Sequence, residues 1–211
     1  RAIRRGVKSR VLMGGLLVAV LTGAPLVPPT GKAHAQATAQ STANQQFLLA
    51  YRLFNRNEDG LALEAFTEFV GGFQSDPKVG DAYYYLSLLE RRRGNNAKAL
   101  EYLGNTPEPT LVPTYALQVL HAQVLMDVDD AEGKNTARAV EVLEKIDVTN
   151  LAPLPRASVL FLKGTAYREM NNLTGAQQAM KEAAAEESTL RARATMEQGR
   201  LLAMQGKPAE A

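Results

Sequence analysis

The densest group of possible metal ligands in the sequence is a run of carboxylates, whose oxygens suit Ca²⁺. An EF-hand loop begun at Asp127 needs a third ligand at position 131, a glycine at 132 and a glutamate at 138. The sequence has Ala131, Glu132 and Arg138 at these places. We therefore predict a solvated turn leading into a helix, and no metal site. The run comprises Asp127, Asp129, Asp130 and Glu132.

Other arrangements that carry catalysis are also missing from the sequence. There is no cysteine, which excludes thiolate metal sites, thiol nucleophiles and disulfides. His34 and His121 are the two histidines, and we predict a structural role for His121. Gly71 and Gly72 lack the following glycine–lysine pair of a phosphate-binding loop. No serine or threonine stands with a base and an acid in a recognisable order. We predict that the chain is not an enzyme, with no catalytic residue and no cofactor.

Residues 1–35 have the three-part layout of a bacterial secretory signal. They hold six Lys and Arg and no Asp or Glu, and the cationic start precedes the apolar stretch "VLMGGLLVAVLTGAPLV". Ala33 and Ala35 then flank His34 as the small residues that signal peptidase needs. We predict a signal peptide over residues 1–35, cleaved after Ala35, and a periplasmic or secreted protein. The alternative is an uncleaved signal that anchors the chain in the inner membrane.

The remainder of the chain is mildly acidic. Residues 36–211 carry 18 Lys and Arg against 22 Asp and Glu, a net charge of −4. This balance gives no reason to expect nucleic-acid binding. We also expect no membrane association after signal cleavage, and the oligomeric state is left open. Residues 36–45, "QATAQSTANQ", are small and polar, so we predict a flexible linker there.

Beyond the linker, one skeleton recurs. A small residue is followed by an alanine after 12 residues in four copies and 17 in the third, and four residues after each of the first four alanines comes a bulky apolar side chain. Turn-forming residues separate the two halves, so each copy reads as helix A, a turn and helix B. Small residues at the crossing let the two backbones approach closely. The small residues are Ala50, Ser87, Ala122, Gly164 and Gly199, the alanines are Ala62, Ala99, Ala139, Ala176 and Ala211, and the bulky residues are Phe66, Leu103, Leu143 and Met180.

This skeleton resembles the tetratricopeptide repeat, a 34-residue helix–turn–helix unit with glycine, tyrosine, alanine and phenylalanine at fixed places. The fourth copy is most similar, with Gly164, Tyr167, Ala176 and Met180 at those places. The resemblance implies an all-α, right-handed superhelix, or solenoid, over residues 46–211, with four repeats and the start of a fifth. Because residue 1 is not methionine and Ala211 is the alanine of the fifth copy, we expect a fragment of a longer protein at both ends.

Two copies depart from the pattern. The stretch "GNTPEPT" at 104–110 cannot continue a helix, so we expect an abbreviated helix B in the second copy. In the third copy, "DVDDAEGKN" reads as an inserted turn.

Solenoids of this type bind partners along the groove lined by their A helices. Groove residues are expected three places before the small residue, one after it and four after it. We predict that this groove receives an extended or helical peptide, with aromatics as anchors and arginines holding acidic groups. The predicted partner-binding residues are Tyr51, Tyr84, Leu88, Arg91, Gln123, Phe161, Thr165, Arg168 and Arg200, and the same spacing also selects Phe47, Phe54, Val119, Met126 and Met196.

Residues 47–103, which include "DAYYYL", are similar to repeats of bacterial periplasmic proteins that coordinate outer-membrane constriction with cell division, and to those of outer-membrane assembly proteins. We therefore expect an exported, non-catalytic scaffold that binds other envelope proteins or peptides. The open alternatives are the helical repeat portion of a larger envelope enzyme, a secretion or polysaccharide-export component, and a membrane-anchored assembly factor.

Overall fold

The computed structural model describes residues 31–128 and 132–206. Residues 1–30 of the predicted signal peptide, the carboxylates Asp129 and Asp130, and the last repeat alanine, Ala211, lie outside the described residues. Within those ranges the chain forms nine α-helices and no strand. The helices are α1 (Gly31–Asn55), α2 (Asp59–Gly72), α3 (Val79–Arg92), α4 (Asn96–Gly104), α5 (Thr114–Asp127), α6 (Lys134–Glu144), α7 (Pro153–Glu169), α8 (Leu173–Ala185) and α9 (Arg191–Met204).

The helices form a series of hairpins, as the repeated skeleton predicts. From α2 onward each helix packs against the next, and the A helices also meet directly, α3 against α5 and α5 against α7. The compact repeat unit begins at Thr38. This all-α repeat architecture confirms the predicted fold class, and α4, with nine residues, is the abbreviated helix expected in the second copy.

In the described residues, the segments that follow the A helices contain glycine or asparagine in the left-handed backbone region. This conformation redirects the chain next to a helix end, and glycine or asparagine adopts it at the lowest cost. In the fourth hairpin, the Asn172 side chain then accepts a hydrogen bond from the Gly175 N–H at 3.0 Å and caps α8. The left-handed residues are Asn57, Gly94, Gly133, Asn171 and Gly206.

Residues 36–45 are part of helix α1, which differs from the flexible linker predicted for them. Ala43 and Phe47 are 2% exposed and belong to the first core cluster. Polar contacts also hold the segment, because Gln40 Nε2 donates to Asp76 Oδ2 at 2.8 Å and Lys78 Nζ donates to Asn44 Oδ1 at 2.6 Å. The prediction was wrong because the segment is mostly polar, although one face of this helix is buried.

In the first four repeats, the small residues and alanines of the skeleton are buried. Gly164 is buried in α7, and a Cβ added there would lie 2.9 Å from Met180 Cε. In the fourth repeat, the small residue of helix A therefore contacts the bulky residue of helix B. The following members have no exposed surface: Ala50, Ala62, Ser87, Ala99, Ala122, Ala139 and Ala176.

The loop from α4 to α5 is fastened to the first turns of α3. Gly80 lets the loop approach so closely that an added Cβ would lie 2.6 Å from the Pro107 carbonyl oxygen. The buried carboxylate of Asp81 accepts hydrogen bonds from Thr110 Oγ1 at 2.7 Å and N–H at 3.2 Å, and from the N–H groups of Leu111 and Val112, each at 2.8 Å. These contacts fix where α5 begins.

Arg156 has the equivalent role for the loop from α6 to α7. Its guanidinium donates to the carbonyl oxygens of Val148, Thr149 and Leu151 at 2.8–2.9 Å. It also forms an ion pair with Glu186 at 3.2 Å. One side chain thus ties together the two loops that precede α7 and α9.

Candidate functional site

Two neighbouring cavities lie on the A helices. The first, which we call the neutral cavity, has a volume of about 310 Å³ and is lined by α3, α5 and α7. The second, the charged cavity, has a volume of about 530 Å³ and is lined by α3, α5, α7, the loop before α9 and α9 itself. Gln123 and Ser158 line both cavities, so the two form one continuous groove site.

The structure brings six of the nine predicted partner-binding residues to this site. Tyr84, Leu88 and Gln123 line the neutral cavity. Arg91, Gln123, Phe161 and Thr165 line the charged cavity. The same spacing also placed Val119 and Met126, which line the neutral and the charged cavity respectively.

Three predicted partner-binding residues lie outside both cavities. Tyr51 packs its ring against Tyr85, with 5.5 Å between the centroids. Arg168 Nη1 pairs with Glu197 Oε2 at 2.9 Å, and Arg200 Nη1 pairs with Glu197 Oε1 at 2.7 Å. The two arginines therefore hold a carboxylate of this chain, 93% removed from solvent, between α7 and α9.

At the first end of the predicted groove, the aromatic residues pack into the core. Phe47 is 2% exposed and makes edge contacts with Phe66 at 5.8 Å and Phe69 at 5.4 Å, so its groove assignment was wrong. The Phe54 ring packs beneath the Arg92 guanidinium at 4.6 Å. At the other end of the predicted groove, Met196 of α9 is 54% exposed and lines neither cavity. Helical spacing alone could not separate these core aromatics from groove residues.

The walls of the neutral cavity are apolar and aromatic. The apolar residues include Leu88, Val119 and Leu154, and the polar groups are the hydroxyls of Tyr84, Tyr115 and Ser158 and the Gln123 amide. Burial and, to a smaller extent, the nearby Tyr115 raise the pKa of Tyr84, so its hydroxyl is protonated at neutral pH. Such a cavity suits an apolar side chain and a few directed hydrogen bonds.

The charged cavity contains both signs of charge. Arg91 Nε donates to Asp127 Oδ2 at 2.7 Å, so this predicted cation already has a partner. Burial and the Asp127 carboxylate raise the pKa of Glu169, against the opposing effect of Arg168. Asp127 and Glu169 thus form an acidic wall at the carboxyl ends of α5 and α7.

Arg193 lines the charged cavity and was missed by the sequence rule. Its guanidinium lies over the Phe161 ring, 4.8 Å from the centroid. It stands six residues before Gly199, as Ala116 and Ser158 stand six residues before Ala122 and Gly164. This position lies three residues, close to one helical turn, before the predicted groove position that precedes the small residue by three, so it falls on the groove side and extends the predicted set.

His121 has the environment of a structural side chain. It lies half-buried on α5, and burial together with the nearby Arg138 charge lowers its pKa, so the neutral imidazole is favoured. Across the described residues, no group of three or more His, Cys, Asp or Glu is placed to hold a metal ion. None of the described helices is both long and apolar enough to cross a membrane.

Comparison with known proteins gives one family. The sequence model of the tetratricopeptide repeat matches residues 47–106 and 161–211, more than half of the chain. The first stretch covers most of α1–α4, and the second covers α7 from Phe161 onward, α8 and α9. No curated protein matches the sequence.

Proposed function

Because the chain belongs to the tetratricopeptide repeat family, we propose that it is a non-catalytic scaffold that binds a segment of a partner protein in its A-helix groove. The observation that carries this proposal is the continuous groove site formed by the neutral and charged cavities. Four A helices contribute to it, and their side chains recur at the spacing expected for a groove. A peptide that crosses successive A helices contacts each cavity in turn.

The polarity of the site supports a peptide as the ligand. Tyr84, Tyr115 and Gln123 make no hydrogen bond through their side chains to another residue in the described parts of the chain. These neutral donors and acceptors match the amides of a peptide backbone, and the apolar walls match its side chains. Aromatic residues supply large contact areas at low entropic cost, which suits them to hold a bound segment.

We propose that this scaffold is localised in the bacterial envelope. The support is the order of cationic, apolar and small residues in residues 1–35, together with the resemblance of residues 47–103 to repeats of envelope proteins. The partner would then be another envelope protein or peptide.

Fractionation of cells tests the export proposal. We expect the full chain, expressed with a tag after Ala211 in a Gram-negative bacterium, to appear in the periplasmic fraction with its amino terminus at Gln36. Replacing Arg4, Arg5 and Lys8 with glutamate should leave the uncleaved protein in the cytoplasm, because the signal needs a cationic start. Recovery of the unaltered chain in the cytoplasmic fraction with residue 1 intact would contradict export.

Filling the neutral cavity tests the groove. Ala116 is half-buried on α5 and lines this cavity, so Ala116→Phe places a ring where the partner's side chain would lie. Loss of one central anchor pocket is expected to weaken partner capture about 30-fold. Capture is measured from envelope extracts by quantitative mass spectrometry.

The matched control for the cavity variant is Ala203→Phe. Ala203 is exposed on α9 and lines neither cavity, so the same added ring should leave capture unchanged. Both variants should keep the helical circular dichroism and melting temperature of the parent. Equal capture by the parent and a folded Ala116→Phe protein would overturn the groove as the binding site.

A further inference from the structure

The neutral cavity is selective for uncharged groups. No charged side chain lines it, and the Ser158 hydroxyl is already directed to the Leu154 carbonyl oxygen of its own helix at 2.8 Å. A charged group from a partner would lose its hydration there without gaining an ionic partner, which is costly. With a volume of about 310 Å³, the cavity accommodates a bulky apolar or aromatic side chain.

Arg193 supplies a cation next to this cavity. Its guanidinium covers the Phe161 ring, and Phe161 is one helical turn from Ser158, which lines both cavities. Among the described residues no carboxylate forms an ion pair with Arg193. The predicted groove arginines differ in this respect, because Arg91 pairs with Asp127 and both Arg168 and Arg200 pair with Glu197.

The two carboxylates of the acidic wall lie at the ends of their helices. Glu169 is the last residue of α7, eleven residues beyond Ser158, a rise of about 16 Å along the helix. Asp127 is likewise the last residue of α5, and Arg91 already neutralises it. Of the two arginines that line the charged cavity, Arg91 is therefore occupied by Asp127, and Arg193 is the one available to an anion of a partner.

From this arrangement we propose that the bound segment presents a bulky uncharged side chain to the neutral cavity and a nearby carboxylate to Arg193. This inference rests on the proposed function, since it specifies the chemistry of the partner in the same groove. The guanidinium over Phe161 offers its N–H edges to a carboxylate while one face stays on the ring, so both contacts are satisfied together.

Selection from a peptide library tests the motif. The probe is a phage-displayed library of random eight-residue peptides, selected against the full chain and against Arg193→Glu. Peptides retained by the parent should be enriched in Leu, Phe, Tyr or Trp with Asp or Glu close by. Synthetic copies of these peptides should bind Arg193→Glu at least about tenfold more weakly, because a charge-assisted contact becomes a repulsion.

Two further variants separate the possible outcomes. Lys181→Glu makes the same charge change at an exposed residue of α8 outside both cavities and should leave peptide binding unchanged. Arg193→Lys should restore part of the affinity lost in Arg193→Glu. The motif is overturned, while the groove function stands, if the selected peptides lose their affinity for Ala116→Phe but show no acidic enrichment. The same conclusion follows if these peptides bind Arg193→Glu as well as the parent. If every selected peptide binds Ala116→Phe as tightly as the parent, the groove function itself is overturned.

Discussion

Replacing Phe66 with alanine is expected to lower the free energy of unfolding by about 4 kcal/mol, the largest effect predicted for this chain. Phe66 has no exposed surface. Its ring stacks on Tyr85 with 5.1 Å between centroids and meets the edge of Phe47 at 5.8 Å. Removal of the ring leaves a cavity between the first hairpin and α3 that neighbouring aromatic rings, fixed by one another, cannot close.

The measurement is urea unfolding followed by circular dichroism, with hydrogen exchange in α1 and α2 as a local readout. Repeat proteins gain stability from contacts between neighbours, so protection should fall most in the first hairpin. Phe73→Ala is the matched control, because this ring is half-buried beyond the end of α2 and packs on Phe69 at 5.5 Å. Equal losses for both variants would mean that Phe66 is not a central packing residue.

The repeated skeleton predicted the hairpins because it encodes contacts within short stretches of chain. A small residue and an alanine 12 residues later must face each other across one turn, and both are buried in the first, second and fourth hairpins. The third hairpin follows the same rule with 17 residues, and α5 and α6 form although residues 107–160 lie outside the family match. Helix periodicity and turn residues are local signals, so one sequence suffices to read them.

The polar contacts between repeats were not predictable in the same way. Arg168 and Arg193 look alike in the sequence, but the first pairs with Glu197 in the following A helix and the second lies over Phe161 in the preceding A helix. These partners are separated by about thirty residues, and their pairing depends on how α7 and α9 pack. The spacing rule therefore found the groove surface without showing which cations on it are already paired.

Equivalent positions in different repeats also have different roles. Asp81 stands six residues before Ser87, the place that lines the groove as Ala116, Ser158 and Arg193 in later repeats. In the second repeat, the loop from α4 folds over this place, so Asp81 is buried. A loop whose course is not encoded by helical periodicity converts a surface position into a structural one.

Asp81→Ala is accordingly expected to lower the free energy of unfolding by about 3 kcal/mol. Charged residues on helices are usually exposed and tolerate such a change, but Asp81 is buried. Four hydrogen bonds end on its carboxylate, and three of their donors are backbone N–H groups of residues 110–112. Alanine leaves these donors without their acceptor, and bonds to a charged group are each stronger than neutral ones. The released loop also loosens the start of α5, so the Tyr115 side of the neutral cavity should lose its shape.

Two variants show whether the carboxylate itself causes this effect. Asp81→Asn keeps the shape and one acceptor oxygen, so its loss of stability in urea unfolding should be smaller than that of alanine. Glu108→Ala removes an exposed carboxylate from the same loop and should leave stability nearly unchanged. Peptides selected on the parent should bind Asp81→Ala more weakly even where it is fully folded, because the wall formed by Tyr115 depends on the loop. Normal stability in Asp81→Ala would show that the loop is held by its packing on Gly80, without need of the buried charge.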